Sequence, residues 1–137
     1  MSGLEFKPDF VWIKERSSGS EHKIFDVVRG VQKAISSASN AAEEDQNNYL
    51  TSFHDQGFVV GNDGAVNENS QTYVAWCWKA GGAAVSNSDG TITSSVSANT
   101  EAGFSIVSYT GNETNNATVG HGLGKSPDMV IIKDRVS

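Results

Sequence analysis

The residues of this chain that could do chemistry are His22, His54 and His121, Cys77, Trp12, Trp76 and Trp78, and a few acidic groups in turn-like settings. The histidines lie far apart and have none of the spacing of a zinc site. Gly120-x-Gly122-x-Gly124 has the glycine spacing of a phosphate loop. A phosphate cradle needs a helix N-terminus behind the glycines, whereas a Pro-Asp strand entry follows here. The flanking glycines of His121 are expected to serve a tight backbone path. Asn62-Asp63-Gly64 and Ser88-Asp89-Gly90 could offer oxygens to calcium, but neither has the alternating acidic spacing of an EF-hand loop, so turn chemistry is expected. Glu43, Glu44 and Asp45 form a charge run expected on a solvated loop, not a general-acid pair. No G-x-S-x-G elbow is present. Cys77, between two tryptophans, is expected to be a small buried hydrophobe. The tryptophans sit in apolar strand runs where core packing is the default, and Trp78, beside Lys79 and the Gly81-Gly82 exit, is the candidate for glycan stacking. The pattern contains no catalytic constellation and calls for no cofactor or metal.

The elements that would position these groups read as short strands. FVWIKER (10–16) alternates, with Val11 and Ile13 opposite Phe10, Trp12 and Lys14. KIFDVVRG (23–30) is expected as a strand ended by Gly30. Residues 31–48 are polar and without a clean period, which predicts a long surface loop with at most one helical turn near AAEED. Strands are expected at 49–53, 58–61, 72–82 and 103–111, and Asp89-Gly90 predicts a hairpin with TITSSVS as its return arm. The sum is roughly eight to ten short strands, the pattern of an all-β domain: a β-sandwich of jelly-roll or concanavalin A-like type. Asn112-Glu113-Thr114 and Asn116-Ala117-Thr118 match glycosylation sequons in a polar tip.

One feature organises the chain. Residues 4–18, LEFKPDFVWIKERSS, and residues 123–137, LGKSPDMVIIKDRVS, are identical at 8 of 15 positions. The shared pattern is L-x-x-x-P-D-x-V-x-I-K-[ED]-R-x-S, and both prolines of the chain occupy its strand-entry position. Self-similarity of this kind marks repeat and array proteins. It predicts a single domain over 1–126 and, over 127–137, the start of a second copy or an assembly strand. Pro127, Asp128, Val130, Ile132, Lys133 and Arg135 are the residues expected to carry assembly. Asp9 and Asp128 are expected to cap the turn that opens each strand, with the following Lys and Arg at its solvated end.

Composition sets outer limits. At 137 residues the chain can bury a core of its own. A net charge of −6 argues against partners such as nucleic acid or anionic membrane. The single cysteine allows no internal disulfide. No apolar run reaches membrane-span length, and no signal peptide is visible at the N-terminus.

The phrases FKPDFVWIKERS, FDVVRG, TSFHDQGFVVG, YVAWCWKAGG, GFSIVSYTGN and ATVGHGLGKSPDMVIIKDR together resemble a tandem domain of marine bacteriophage structural proteins, the tail-fibre-like virion proteins of cyanophages and pelagiphages. The resemblance implies a non-enzymatic, β-rich domain on the exterior of the virion. It would act in a tail fibre, an appendage or a capsid decoration and assemble with itself or with other virion proteins. It brings no binding site with it. The alternative expectation is a lectin-like module for host-surface glycans; a polysaccharide depolymerase would need a carboxylate pair that the sequence does not offer.

Overall fold

The computed structural model describes residues 3–136. The chain is all-β and sandwich-like, with ten strands among the described residues and one four-residue helical turn. The strands are β1 (Phe10–Glu15), β2 (Lys23–Asp26), β3 (Gly30–Ile35), β4 (Glu44–Asp45), β5 (Leu50–His54), β6 (Gly57–Val60), β7 (Tyr73–Trp78), β8 (Val85–Asn87), β9 (Ser94–Asn99) and β10 (Phe104–Tyr109); the helical turn is α1 (Gly64–Asn67). They form a five-stranded sheet of order β4-β3-β2-β1-β7, a three-stranded sheet β10-β9-β8 and the hairpin β5-β6. Every pairing between these strands is antiparallel.

β1 lies in the interior of the large sheet. Val11 faces Phe25 on β2 and Cys77 on β7, and Ile13 faces Lys23 and Ala75. Alternation puts Val11 and Ile13 on one face, where they join Phe25, Ala34, Tyr49, Leu50, Phe58 and Val66 in the core. The β5–β6 hairpin and α1 supply Leu50, Phe58 and Val66, so they cover this face of the sheet. Each of the large side chains buried there contributes about 1.5–3 kcal/mol. The opposite face carries Phe10, Trp12, Trp76 and Trp78. Phe104 of β10 meets Phe10 and Trp78 there, at ring-centroid distances of 5.6 and 6.0 Å, and so brings the three-stranded sheet against it.

Several expectations are corrected. Residues 31–48 are not one long loop: β3 and β4 lie inside that span, and Gly30, at φ +102°, opens β3 instead of ending β2. β2 ends earlier, at Asp26, whose Oδ1 accepts the backbone N–H groups of Val28 and Arg29 and turns the chain. β3 escapes a hydrophobic pattern because Ala34 is its one fully buried residue, while Lys33 pairs across the sheet with Asp45. The AAEED stretch contributes an extended bridge at Glu44–Asp45; the helical turn falls at α1, where the Asp63 carboxylate accepts the Ala65 N–H as an N-cap. The Asp89-Gly90 turn does join two strands, with β9 starting at Ser94. Residues 129–135, expected as a strand, form none in this chain. The place such a strand would take, between β2 and β7, is already held by residues 10–15.

Candidate assembly segment and aromatic face

The C-terminal segment is delivered by a firmly held lead-in. Ile92 and Val119 form a parallel bridge. Ser94 Oγ donates to the Gly120 carbonyl at 2.9 Å, and Ser105 Oγ donates to the His121 carbonyl at 2.6 Å. A Cβ on Gly120 would overlap the side chain of Asn87, and Gly122, at φ +72°, lies against Ala98 and Val96. The glycine spacing therefore serves close packing against β8 and β9, and no helix follows it. Leu123 is buried; beyond it the chain leaves the fold.

Residues 127–136 run over the surface and are fastened near their end. Arg135 Nε and Nη2 each donate to the Glu43 carboxylate at 2.9 Å, and Nη1 donates to Ser108 Oγ at 3.0 Å. The backbone joins in, with Glu43 N–H donating to the Arg135 carbonyl at 2.9 Å and Lys133 Nζ donating to the Ala41 carbonyl at 2.9 Å. Glu43 also accepts from Arg29 Nη1 at 3.1 Å, and Arg29 Nε reaches Asp26 at 2.6 Å, which makes a four-residue chain of alternating charge. Burial opposes the charge on Glu43, but the bonds from Arg135 and Arg29 outweigh it and hold its pKa below the ordinary carboxylate value. Its hydrogen bond with Glu43 in turn pushes the Arg135 pKa upward.

Glu43 and Glu44 thus depart from the solvated loop that the run's composition predicts, while Asp45 is exposed as expected. The Glu43 side chain is only 11% exposed. Glu44 is bonded by Lys23 at 2.7 Å and by the Tyr49 hydroxyl. The basic partners of the run are distant in sequence from it or from one another, and only folding brings the four side chains Lys23, Arg29, Lys33 and Arg135 to it.

Between these fastenings the apolar residues have no cover. Met129, Val130, Ile131 and Ile132 are 66–77% exposed. Pro127 and Asp128 are exposed as well. A shallow cleft runs between this segment and residues 37–40, lined by Ile132, Lys133 and Asp134. The first copy behaves differently. Asp9 is buried, and its Oδ2 accepts N–H groups from Ala80 at 2.8 Å and Gly82 at 3.2 Å. It therefore clamps the exit of β7 across the sheet, which corrects the expectation that it caps its own entry turn.

The second notable surface is aromatic. Trp76 and Trp78 are 43% and 37% exposed, on the face of the large sheet away from the core. Core packing therefore fails for Trp76; Trp78 is partly exposed, as expected, and Trp12 is half-buried. One face of Trp78 is covered by Phe104, stacked at an interplanar angle of 17°. Trp12 Nε1 donates to His22 Nδ1 at 2.7 Å. Cys77 points to the core side, where burial pushes its thiol pKa up. His54 is exposed at the end of β5, and His121 Nδ1 accepts from Leu123 N–H at 3.2 Å. No group of three or more His, Cys, Asp and Glu among the described residues could hold a metal ion. Asp89 is engaged by Asn87 in a local turn, as its sequence predicts.

Fold and surface together define an all-β, sandwich-like domain with a C-terminal segment that is fastened at Arg135 but leaves its apolar side chains uncovered. The chain matches, over residues 1–137, the family described as a domain of unknown function, DUF7483, and belongs to it. No curated protein and no solved structure matches it.

Proposed function

We propose that this is a non-catalytic virion domain of the tail-fibre, appendage or capsid-decoration kind, whose work is assembly through residues 127–136. The observation that carries the reading is the contrast between the two copies of one sequence pattern. The first copy is an interior strand with Val11 and Ile13 almost fully buried. The second is held at Arg135 yet leaves four consecutive apolar side chains in water. A run of that kind on a folded surface marks an interaction site or an aggregation hazard. Covering those four side chains would yield about 1.5–3 kcal/mol each before the ordering of the segment is subtracted. Sequence resemblance to marine phage tail-fibre-like proteins supports the setting, and an acidic net charge of −6 suits a protein whose partners are other proteins of the particle.

The test is the solution mass by light scattering of the whole chain and of a chain lacking residues 127–137. The reading expects a concentration-dependent oligomer from the first and a folded monomer from the second. Two folded monomers of unchanged size at all concentrations would overturn it.

A second reading, a lectin-like module for host-surface glycans, draws support from the exposure of Trp76 and Trp78. Indole faces stack on sugar rings, and truncating either residue to alanine should abolish glycan-array signal from folded protein. An array that stays blank for the intact chain would count against it.

A further inference from the structure

The chain carries two versions of one strand but a single frame to receive it. We propose that residues 127–134 are the β1 strand of a second copy of this fold that has no first-copy strand of its own, docking between that copy's equivalents of β2 and β7, which β1 fills in this chain. The proposal rests on the assembly reading and names its partner: not a bare sheet edge, but a two-sided slot of the kind found in this chain.

The identical positions support it role by role. Asp9 accepts two backbone N–H groups from the Ala80–Gly82 exit, and Asp128 stands in its place in the pattern. Val11 and Ile13 fill the core at 0% and 2% exposure; Val130 and Ile132 replace them and stand 66% and 73% exposed. Over residues 127–134 the copies differ at three positions: Phe10 against Met129 and Trp12 against Ile131 lie on the half-buried aromatic face, where any large apolar group would pack, and Glu15 against Asp134 keeps a carboxylate at the end of the strand. An edge pairing would use backbone groups on one side of the segment and alternate side-chain pockets. It would have no use for an aspartate placed to clamp an Ala-Gly-Gly exit. The segment cannot enter its own frame, because β1 is paired on both sides. The Arg135–Glu43 contact meanwhile holds it against its own domain.

The test is a chain of two units in which residues 1–137 are followed directly by residues 19–137. Its second unit has no first copy of its own and must take residues 123–137 of the first unit as β1. The expected result is two protease-resistant units, with Asp128→Ala abolishing protection of the second unit alone. Register is read by a cross-link. Val11 lies opposite Cys77 in the pairing of β1 with β7. With Cys77→Ala in the first unit, Val130→Cys should therefore oxidise onto Cys77 of the second unit, and Ile131→Cys, on the other face of the strand, should not. A second unit that stays protease-sensitive beside an intact first unit would overturn the proposal. So would a folded second unit indifferent to Asp128→Ala that gives no Val130→Cys link. If either occurs while the single chain still assembles through its tail, the assembly reading stands and the β1 docking falls.

Discussion

Replacing Asp9 by alanine removes a carboxylate that is 3% exposed and accepts the N–H groups of Ala80 and Gly82 at 2.8 and 3.2 Å. Ala80 is itself buried, so its N–H cannot turn to water when the carboxylate is gone. An unsatisfied buried donor costs about 1–3 kcal/mol, and a bond to a charged acceptor lies at the upper end of that range. Gly82 is half-buried and recovers part of its loss through solvent. The sum is about 2–4 kcal/mol. In a domain of 137 residues that should lower Tm by roughly 3–5 °C per kcal/mol. Asp128→Ala is the matched control, because Asp128 has the same place in the repeat but an exposed position. Its Tm should change by no more than about 1 °C, within the range of neutral surface substitutions. The assay is thermal unfolding followed by tryptophan fluorescence at low protein concentration. Equal shifts for the two variants, or a stable Asp9→Ala, would refute the assignment of the clamp to Asp9.

Other consequences can be checked on the same protein. Arg135→Ala should free residues 127–136 for proteolysis while costing at most about 1 kcal/mol of global stability, because the pair is partly exposed; trypsin or chymotrypsin mapping beside a melt reads both. Acid should do the same to the wild type. Glu43 has a folded pKa below its ordinary value of 4.5. Its stabilising contribution is therefore full above that ordinary value and is lost as pH falls through the depressed folded one. Tail protection should persist at pH 5 and disappear on further acidification, and loss of protection already between pH 7 and pH 5 would contradict the pairing. Gly120→Ala would drive a Cβ into Asn87 and should destabilise by about 1–3 kcal/mol in a urea titration. A neutral result there would show that the lead-in is looser than its contacts suggest.

The strands with strong apolar alternation were legible in the residues. β1, β7 and β10 carry their faces in their spelling, and the inner set Val11, Ile13, Ala75 and Cys77 lies on the core side as alternation predicts. β3 and β4 were not legible, because their support is a cross-strand ion pair and a single buried alanine instead of a hydrophobic rhythm. The tryptophans misled for a related reason. Apolar residues on both sides of β7 suggest burial on both sides, yet the outer layer covers Phe10 and one face of Trp78 and leaves Trp76 open. The repeat was legible as a pattern, but its meaning needed the fold: only the structure shows that one copy fills a slot and that the other, fastened through Arg135, has none. The partnership of Glu43 with Arg29 and Arg135 joins residues 14 and 92 positions apart, a distance that local patterning does not reach.

The most direct test of the assembly role is amide hydrogen exchange across residues 129–133, measured in dilute monomer and in the largest species the chain forms. If these residues are a strand that finds its sheet in a partner, their amides exchange rapidly in the monomer and slow sharply in the assembly, while β1 is protected in both. Rapid exchange at 129–133 in both states, with assembly intact, would contradict it and place the contacts of this protein elsewhere on its surface.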